Sequence, residues 1–499
     1  MSSRFRNPVV PGFHPDPSVC RVGDEFFLVA SSFVFAPGVP VFRSSNLVDW
    51  TQVGNVLDRP SQLDLTATRN WSSAGIYAPT IRHHDGRFFM ITTNVSLQGA
   101  RTFLVTSDDP AGPWSEPVWV PVPGIDPDLA WDDEGTCWVH FSGLGGIARV
   151  RVDPESGIFL DEPERTWSGS GLQYPESPHL YERNGVWYLL IAEGGTYAGH
   201  SVSVARGPSP RGPWEGAPTN PILTHRSTDS PIQHTGHADL VQHVDGSWWM
   251  VLLGVRPRGI GPMFHTLGRE TFLVPVHWED GWPVPGDLVL DMETAPGPPA
   301  ETVTTTGRDD FDTGRLAPHW VGVRRHPSAL GSLCERPGWL VVRGGEATLD
   351  DPEPTFVGRR QQHHFCRAAA SVDPGSAAAA GLAVWLDGAA HYTVGVEGDQ
   401  VVARARIGPL DAVVGTAPRP DGPVVITVQT GPHLHGPDTV TLGYDDDGGT
   451  SHVLAELDGR YLSTEVTGGF IGRLLGMYAV GGTAAFDWFE YEDVGAAAP

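Results

Sequence analysis

The first half of the chain repeats one pattern five times: a polar turn followed by a run of aromatic and aliphatic residues. The copies are "GDEFFLVASS" (23–32), "DGRFFMITTN" (85–94), "EGTCWVHFSG" (134–143), "NGVWYLLIAE" (184–193) and "DGSWWMVLLG" (245–254). Each turn follows a short strand-like run, and Asp-Gly and Asn-Gly supply the positive φ of tight hairpin turns. Units of several strands at about fifty-residue spacing predict an all-β fold with a five-bladed β-propeller over residues 1–294. Unrelated hairpins in a sandwich are the alternative.

Counting back nine residues from the turn glycines of the last four copies reaches the start of the preceding strand-like run. The residues there are Tyr77, Asp126, Glu176 and His237, and Asp16 stands eight residues before Asp24 in the first copy. Because the first strand of each propeller blade lines the central channel, we expect these five side chains to converge. Pro15 and Pro17 flank Asp16 and restrict its backbone. A plain turn at a strand start is the alternative for this segment.

Three carboxylates and a histidine around one channel indicate chemistry, because like charges held close raise one another's pKa. Paired carboxyl groups across a pocket are typical of glycoside hydrolysis, in which one protonates the leaving oxygen and the other activates water or attacks. Carboxyl groups on opposite sides of a channel favour the inverting arrangement. His234 and His237 form an H-x-x-H pair, which is a weak signal for zinc.

Seven segments in this order resemble glycoside hydrolase family 43, and most of all its two-domain β-xylosidases and α-L-arabinofuranosidases. They are "FHPDPSV", "SSFVFAPGVPVFRSSNLVDW", "GIYAPTIRHHDGRFFMITTN", "GIDPDLAWDDEG", "ESPHLYERNGVWYLLIAEGGT", "GHADLV" and "LGRETFL", between residues 7 and 290. The resemblance implies an exo-acting, inverting glycosidase. Its products would be terminal β-D-xylose, α-L-arabinofuranose or both, released from short hemicellulose-derived oligosaccharides.

The resemblance also implies a role for each residue of the motifs. Asp16 would be the general base, Glu176 the general acid, and Asp126 the acid that orients Glu176 and tunes its protonation. An ionised Asp126 would disfavour ionisation of Glu176. His237 would lie at the bottom of the site, and Arg269 would bind substrate and help to position the acid.

Three aromatic residues near the predicted ring, Phe33, Tyr77 and Tyr174, are candidates for stacking on a sugar face. Aromatic residues more often pack in a core, which is the alternative for each of them. Many relatives have Trp at the position of Tyr77. The three acids are intact, so this departure bears on the sugar preference rather than on activity.

The second half of the chain begins after a stretch rich in Pro and Thr, which predicts a linker over 295–307. Short alternating strands such as "GLAVWL" and "PVVITVQT" predict a β-sandwich over 308–499. In two-domain relatives a lectin-like sandwich narrows the pocket, which argues against the alternative of an endo-acting arabinanase. No cofactor is expected to be required. Asp310 and Asp487 are candidates for a structural calcium, with ordinary turn aspartates as the alternative.

The charge composition of the chain excludes some classes of binding partner. The chain has 59 Asp and Glu against 33 Lys and Arg, a formal charge of −26, which disfavours nucleic acid and anionic membrane surfaces. The first residues lack the apolar core of a signal peptide, so we expect a cytoplasmic protein whose partner is a xylo- or arabino-oligosaccharide. The sequence is compatible with a homo-oligomer. A sugar-binding propeller without turnover would be indicated by the loss of an acid, and none is lost.

Overall fold

The computed structural model describes residues 4–69, 71–299, 306–446 and 448–495. The chain divides into two compact units. The first comprises Met1–Phe33, Gly38–Arg256 and Arg269–Val303, and the second comprises Val34–Pro37, Pro257–Gly268 and Thr304–Pro499. Residues 300–305 of the predicted linker lie outside the described residues, so the boundaries at 294 and 308 stay a prediction.

The first unit contains five antiparallel sheets that follow one another along the chain. Sheet 1 consists of Ser18–Val22, Glu25–Val29, Gly38–Ser44 and Thr51–Leu57, and sheet 2 of Gly75–Ile76, Thr80–His84, Arg87–Ser96, Gly99–Ser107 and Val118–Val120. Sheet 3 consists of Gly124–Trp131, Cys137–Gly143, Gly146–Val152 and Glu164–Trp167. Sheet 4 consists of Glu176–Arg183, Val186–Glu193, Ser201–Gly207 and Glu215–Gly216. Sheet 5 consists of Gln233–Gln242, Trp248–Val255, Glu270–Glu279 and Trp282–Pro285. A short 3-10 helix spans Thr66–Thr68, and Phe5–Arg6 pairs with Asp291–Met292.

The hairpin turns explain why the repeated sequences fold as they do. In sheet 4 Arg183 pairs with Val186, which leaves Asn184 and Gly185 as a two-residue loop with φ of 55° and 76°. Two successive positive φ angles match the right-handed twist of the flanking strands. Asp85 and Gly86 of sheet 2 have the same conformation, with φ of 48° and 80°. The predicted hairpins are therefore confirmed at these turns.

Each sheet shares a hydrophobic core with the sheets before and after it. Phe27 of sheet 1 and Phe88 of sheet 2 lie in one cluster, and Phe89 of sheet 2 lies in another with Leu129 of sheet 3. Similar clusters join sheet 3 to sheet 4 and sheet 4 to sheet 5. A further cluster contains Leu28 of sheet 1 and Val251 of sheet 5. The order of shared cores therefore returns from the last sheet to the first.

A buried ionic network joins one strand from each of the five sheets. Arg82 of sheet 2 donates to Asp128 Oδ1 of sheet 3 at 2.7 Å and to Asp239 Oδ2 of sheet 5 at 2.9 Å. Asp239 also accepts from the Ser18 hydroxyl of sheet 1 at 2.8 Å and from the Tyr181 hydroxyl of sheet 4. Neither aspartate side chain is exposed to solvent. The two carboxylates therefore depend on one guanidinium for their charge balance.

The second unit is built mainly from two larger antiparallel sheets. One contains Gly307–Asp309, Gly331–Ser332, Leu340–Gly344, Cys366–Asp373, Val424–Gly431, Thr439–Asp445, Ser451–Asp458 and Gly482–Asp493. The other contains Phe356–Arg360, Ala379–Asp387, Ala390–Glu397, Gln400–Ile407, Leu410–Pro418 and Leu474–Val480. The remaining elements are the strand pair Phe35–Ala36 and Gly322–Val323, the 3-10 helices Pro327–Ala329 and Gly459–Leu462, and the α-helix Thr464–Thr467. Strands of the two sheets contact one another, and strands predominate in both units, which confirms the all-β prediction.

The described residues were also searched for membrane-spanning helices and for groups of side chains that could bind a metal ion. No helix within the described ranges combines the length and apolarity that crossing a membrane requires. In the same ranges no group of three or more His, Cys, Asp or Glu side chains is placed to hold a metal ion. Asp310 accepts a hydrogen bond from Arg308 at 2.5 Å. Calcium binding by Asp310 and Asp487 stays a prediction.

Replacing Arg82 by Met should destabilise the first unit severely, because two buried aspartates would lose their shared cation. Breaking a buried ion pair by removing one partner costs about 3–5 kcal/mol. Arg43→Met is the matched control, since the Arg43–Glu25 pair is largely exposed and worth about 1 kcal/mol or less. Urea denaturation followed by tryptophan fluorescence measures both. Equal losses of stability in the two variants would contradict a central role for Arg82.

Candidate active site

Irregular strand pairing sets the direction of the candidate side chains. The first strands of sheets 3, 4 and 5 shift register between Ile125 and Asp128, between Glu176 and His179, and between Gln233 and Asp239. Within these shifts the backbone turns left-handed, with φ of 53° at Asp126, 55° at Ser177 and 49° at His237. A β-bulge bends the strand and re-aims a side chain. The predicted residues therefore stand where the strands depart from regular pairing.

Asp16 is buried and surrounded by donors. Its Oδ1 accepts from Arg269 Nη1 at 3.0 Å, and its Oδ2 accepts from the Ser31 hydroxyl at 2.6 Å. The Nδ1 atom of His237 lies 3.5 Å from Asp16 Oδ1. Burial alone would raise the pKa of Asp16, but Arg269, His237 and the Ser31 hydrogen bond outweigh it and lower that pKa. Asp16 is therefore an ionised carboxylate.

Asp126 has the opposite environment. Burial, followed by repulsion from Glu176 and Asp16, raises the pKa of Asp126 well above its usual value, although the backbone N–H of Ser177 opposes this. The sequence analysis described the effect of an ionised Asp126 on Glu176, whereas the raised pKa favours the protonated form of Asp126. The repulsion from Glu176 is present as expected, so Asp126 favours its protonated form, whereas Asp16 favours its ionised form.

Two histidines complete the polar part of the site. Burial lowers the pKa of His237 to about 3 despite the nearby charge of Asp16, so this imidazole is neutral. His200 Nε2 lies 3.6 Å from Glu176 Oε1. A Cβ atom on Gly236 would come within 2.4–2.5 Å of the His200 ring. Glycine at 236 therefore leaves the space that places His200 against Glu176.

Arg269 connects the charged and aromatic parts of the site. Its Nη1 also donates to the Thr196 hydroxyl at 3.0 Å, and its guanidinium carbon lies 5.5 Å from the centre of the Phe33 ring. The rings of Phe33 and Tyr77 have centroids 5.0 Å apart, and the Tyr77 hydroxyl donates to the Ser73 carbonyl at 2.9 Å. Burial raises the pKa of Tyr77, and Asp126 and Asp16 add to this. Both aromatic residues therefore line the same site as the acids.

The structure brings together all seven residues that the sequence predicted for the site. Sequence reasoning missed Ser31, Thr196 and His200, which contact Asp16, Arg269 and Glu176 respectively. Ser31 and Thr196 lie inside segments that had been recognised as motifs, but their residue types gave no reason to select them. His200 lies just beyond such a segment, and no signal in the sequence marked it.

Comparison with known proteins identifies the family of the chain. The model of the family described as glycosyl hydrolases family 43 matches residues 5–283. The chain belongs to glycosyl hydrolase family 43. Residues 308–492 match the model described as the beta xylosidase C-terminal Concanavalin A-like domain. The chain is therefore a family 43 glycoside hydrolase with a Concanavalin A-like second domain.

Relatives share this organisation over nearly their whole length. The chain is 39% identical to the non-reducing end alpha-L-arabinofuranosidase BoGH43B of Bacteroides ovatus, covering 98% of this chain and 94% of the relative. It is 38% identical to a xylosidase/arabinosidase of Butyrivibrio fibrisolvens, covering 95% of each chain. The solved structure described as Bacteroides ovatus Xyloglucan PUL GH43B has a TM-score of 0.91 at 37% identity and covers 99% of this chain and 100% of that chain.

Asp126→Asn should move the basic limb of the pH dependence of kcat to lower pH by about one unit. The sign follows from the repulsion: a second carboxyl group helps the pair to hold its proton, and Asn removes that group without changing the shape. Turnover should also fall. Asp133→Asn, at an exposed turn at the far end of the same strand, is the control and should leave the profile unmoved. An unmoved basic limb in Asp126→Asn would contradict the coupling.

Proposed function

We propose that this family 43 enzyme is an exo-acting, inverting glycosidase that releases terminal β-D-xylose, α-L-arabinofuranose or both from short hemicellulose-derived oligosaccharides. The names of its relatives, an alpha-L-arabinofuranosidase and a xylosidase/arabinosidase, support these sugars. The observation that carries the proposal is the opposite charge state of the carboxyl groups. Asp16 is held ionised by Arg269, whereas burial and repulsion from Glu176 and Asp16 raise the pKa of Asp126 well above its usual value. Carboxyl groups whose environments separate their pKa values divide the acid and base roles.

Asp16 is the general base of the proposed mechanism. Its two oxygens are fixed by Arg269 and Ser31, so the carboxylate has one defined orientation. An ionised, positioned carboxylate accepts a proton from the water that attacks the anomeric carbon. In an inverting enzyme this water attacks from the face opposite to the leaving group.

Glu176 is the general acid of the proposed mechanism. Glu176 is partly exposed, whereas Asp126 is buried, so Glu176 is the member of the pair that reaches a substrate more readily. Asp126 and Glu176 repel one another, which raises the pKa of Asp126, and His200 Nε2 lies 3.6 Å from Glu176 Oε1. Protonation of the glycosidic oxygen by Glu176 then assists departure of the rest of the oligosaccharide.

The remaining residues bind the terminal sugar. His237 is neutral and buried next to Asp16, so it offers one hydrogen-bond donor and one acceptor to sugar hydroxyls. Arg269, which is bonded to Asp16, binds the same sugar. Phe33 and Tyr77 provide an aromatic wall, and the position of Tyr77 suits a role in sugar preference.

A five-bladed propeller is the architecture that we infer for the first unit. Five successive sheets support it, as does the order of their shared cores, which returns from sheet 5 to sheet 1. Pairing of Phe5–Arg6 with Asp291–Met292 joins the two ends of this unit. First strands that meet at a common centre account for the convergence of Asp16, Asp126 and Glu176.

Hydrolysis should invert the anomeric configuration of the released sugar. The measurement is proton NMR of the first product formed from xylobiose and from an α-L-arabinofuranosyl xylo-oligosaccharide, before mutarotation. A panel of nitrophenyl xylosides and arabinofuranosides ranks the sugars. Retention of configuration would overturn the roles of Asp16 and Glu176, and no hydrolysis of either class would overturn the proposed substrates.

Glu176→Ala should slow substrates with poor leaving groups far more than activated aryl glycosides, which need little protonation. General acid catalysis contributes roughly 10²–10⁴-fold, so losses of this size are expected for xylobiose but not for dinitrophenyl xyloside. Asp16→Ala is the contrasting variant and should slow both substrates, because water must be activated in either case. The measurement is kcat/KM for the two substrates. Equal losses in Glu176→Ala would remove this residue as the general acid.

A further inference from the structure

Two exposed tyrosines lie beside the candidate active site. Tyr174 and Tyr197 have exposed fractions of 62% and 52%. Tyr174 precedes Glu176 by two residues, and Tyr197 directly follows Thr196, whose hydroxyl accepts from Arg269. Each tyrosine is thus joined by a short piece of chain to a residue of the site.

The two rings are close to each other as well. A Cβ atom placed on Gly195 would lie 2.8 Å from Cε1 of Tyr197 and 3.2 Å from Cδ2 of Tyr174. The absence of a side chain at 195 therefore allows both rings to approach the same point. Gly195 also has a φ of 77°, a conformation that side chains rarely adopt.

Hydrogen bonds hold the backbone next to the two tyrosines in place. The fully buried carboxylate of Glu193 accepts from the Ser170 N–H at 2.8 Å and from its hydroxyl at 2.6 Å. The N–H of Gly194 donates to the carbonyl of Gln173 at 2.6 Å. These bonds tie the segment before Tyr174 to the segment before Tyr197. A surface held in place before binding loses less entropy when a ligand arrives.

We propose that Tyr174 and Tyr197 form a stacking platform for the pyranose ring of the leaving group, the sugar next to the bond that is cleaved. This proposal rests on the proposed function. The general acid must touch the oxygen of the leaving group, so the leaving sugar lies on the Glu176 side of the site, where Tyr174 is found. Tyrosine offers an apolar face to the C–H groups of a sugar and a hydroxyl to its rim. The platform therefore selects oligosaccharides over glycosides with a small leaving group.

The test compares two substrates that release the same terminal sugar. One is xylobiose, whose leaving group is a pyranose, and the other is 2,2,2-trifluoroethyl β-D-xyloside, whose activated leaving group has no ring. If the wild type releases arabinofuranose instead, the corresponding arabinofuranosyl xylobiose and trifluoroethyl arabinofuranoside are used. The measured quantity is the ratio of kcat/KM for the oligosaccharide to kcat/KM for the trifluoroethyl glycoside.

Tyr174→Ala and Tyr197→Ala should each lower this ratio by roughly 2- to 10-fold, the range expected for one aromatic contact, and the double variant should lower it further. Tyr174→Phe and Tyr197→Phe keep the ring and should restore most of the ratio. Trp119→Ala, on the outer strand of sheet 2 and also exposed, is the control and should leave the ratio unchanged.

The outcomes separate the platform from the function on which it rests. A wild type that cleaves neither substrate overturns the proposed function. A wild type that cleaves both, with an unchanged ratio in the double Ala variant, overturns the platform alone. Equal losses on both substrates also overturn it, because they place the tyrosines at the terminal sugar or in support of Glu176.

Discussion

The first unit depends on the ion pairs that the guanidinium of Arg82 forms with two buried aspartates. It lies between Asp128 and Asp239, two carboxylates without solvent contact, and Asp239 also accepts hydrogen bonds from the hydroxyls of Ser18 and Tyr181. The five residues come from five different sheets. A buried ionic cluster of this kind adds little stability compared with apolar packing, but leaving one of its charges unpaired is very costly. Sheets packed in another arrangement would leave these aspartates without their cation.

The same strands that enter this network carry the functional side chains. Asp126 precedes Asp128 by two residues, Glu176 precedes His179 by three, and His237 precedes Asp239 by two. His179 Nδ1 lies 3.2 Å from Asp128 Oδ1, so it too belongs to the network. A register shift lies between the functional residue and the network residue on each strand. The network fixes each strand, and the bulge directs the residue beside it toward the site.

The buried carboxyl groups differ in pKa because only some of them pair with an arginine. Arg82 is committed to Asp128 and Asp239, and Arg269 is committed to Asp16. For Asp126 the backbone N–H of Ser177 and the charge of Arg269 offset only part of the rise in pKa that burial, Glu176 and Asp16 cause. The two guanidinium groups thus form hydrogen bonds with three of the acids, Asp128, Asp239 and Asp16, whereas the pKa of Asp126 stays raised. One ionised and one protonated position is the arrangement that acid–base hydrolysis of a glycoside requires.

The sequence by itself determined the strands, the turns and the identity of the central residues. Asn184 and Gly185 close a hairpin through local backbone preferences, and counting back from such turns located Asp126, Glu176 and His237. Their catalytic roles stay predictions from resemblance. Tertiary structure alone decided which groups touch: Ser31 with Asp16, His200 with Glu176, and Gly236 making room for His200. It also raised the pKa of Asp126, because burial and the neighbouring carboxyl groups of Glu176 and Asp16 disfavour its charged form. Local sequence patterns carry no information on contacts between distant residues or on the pKa of a buried group.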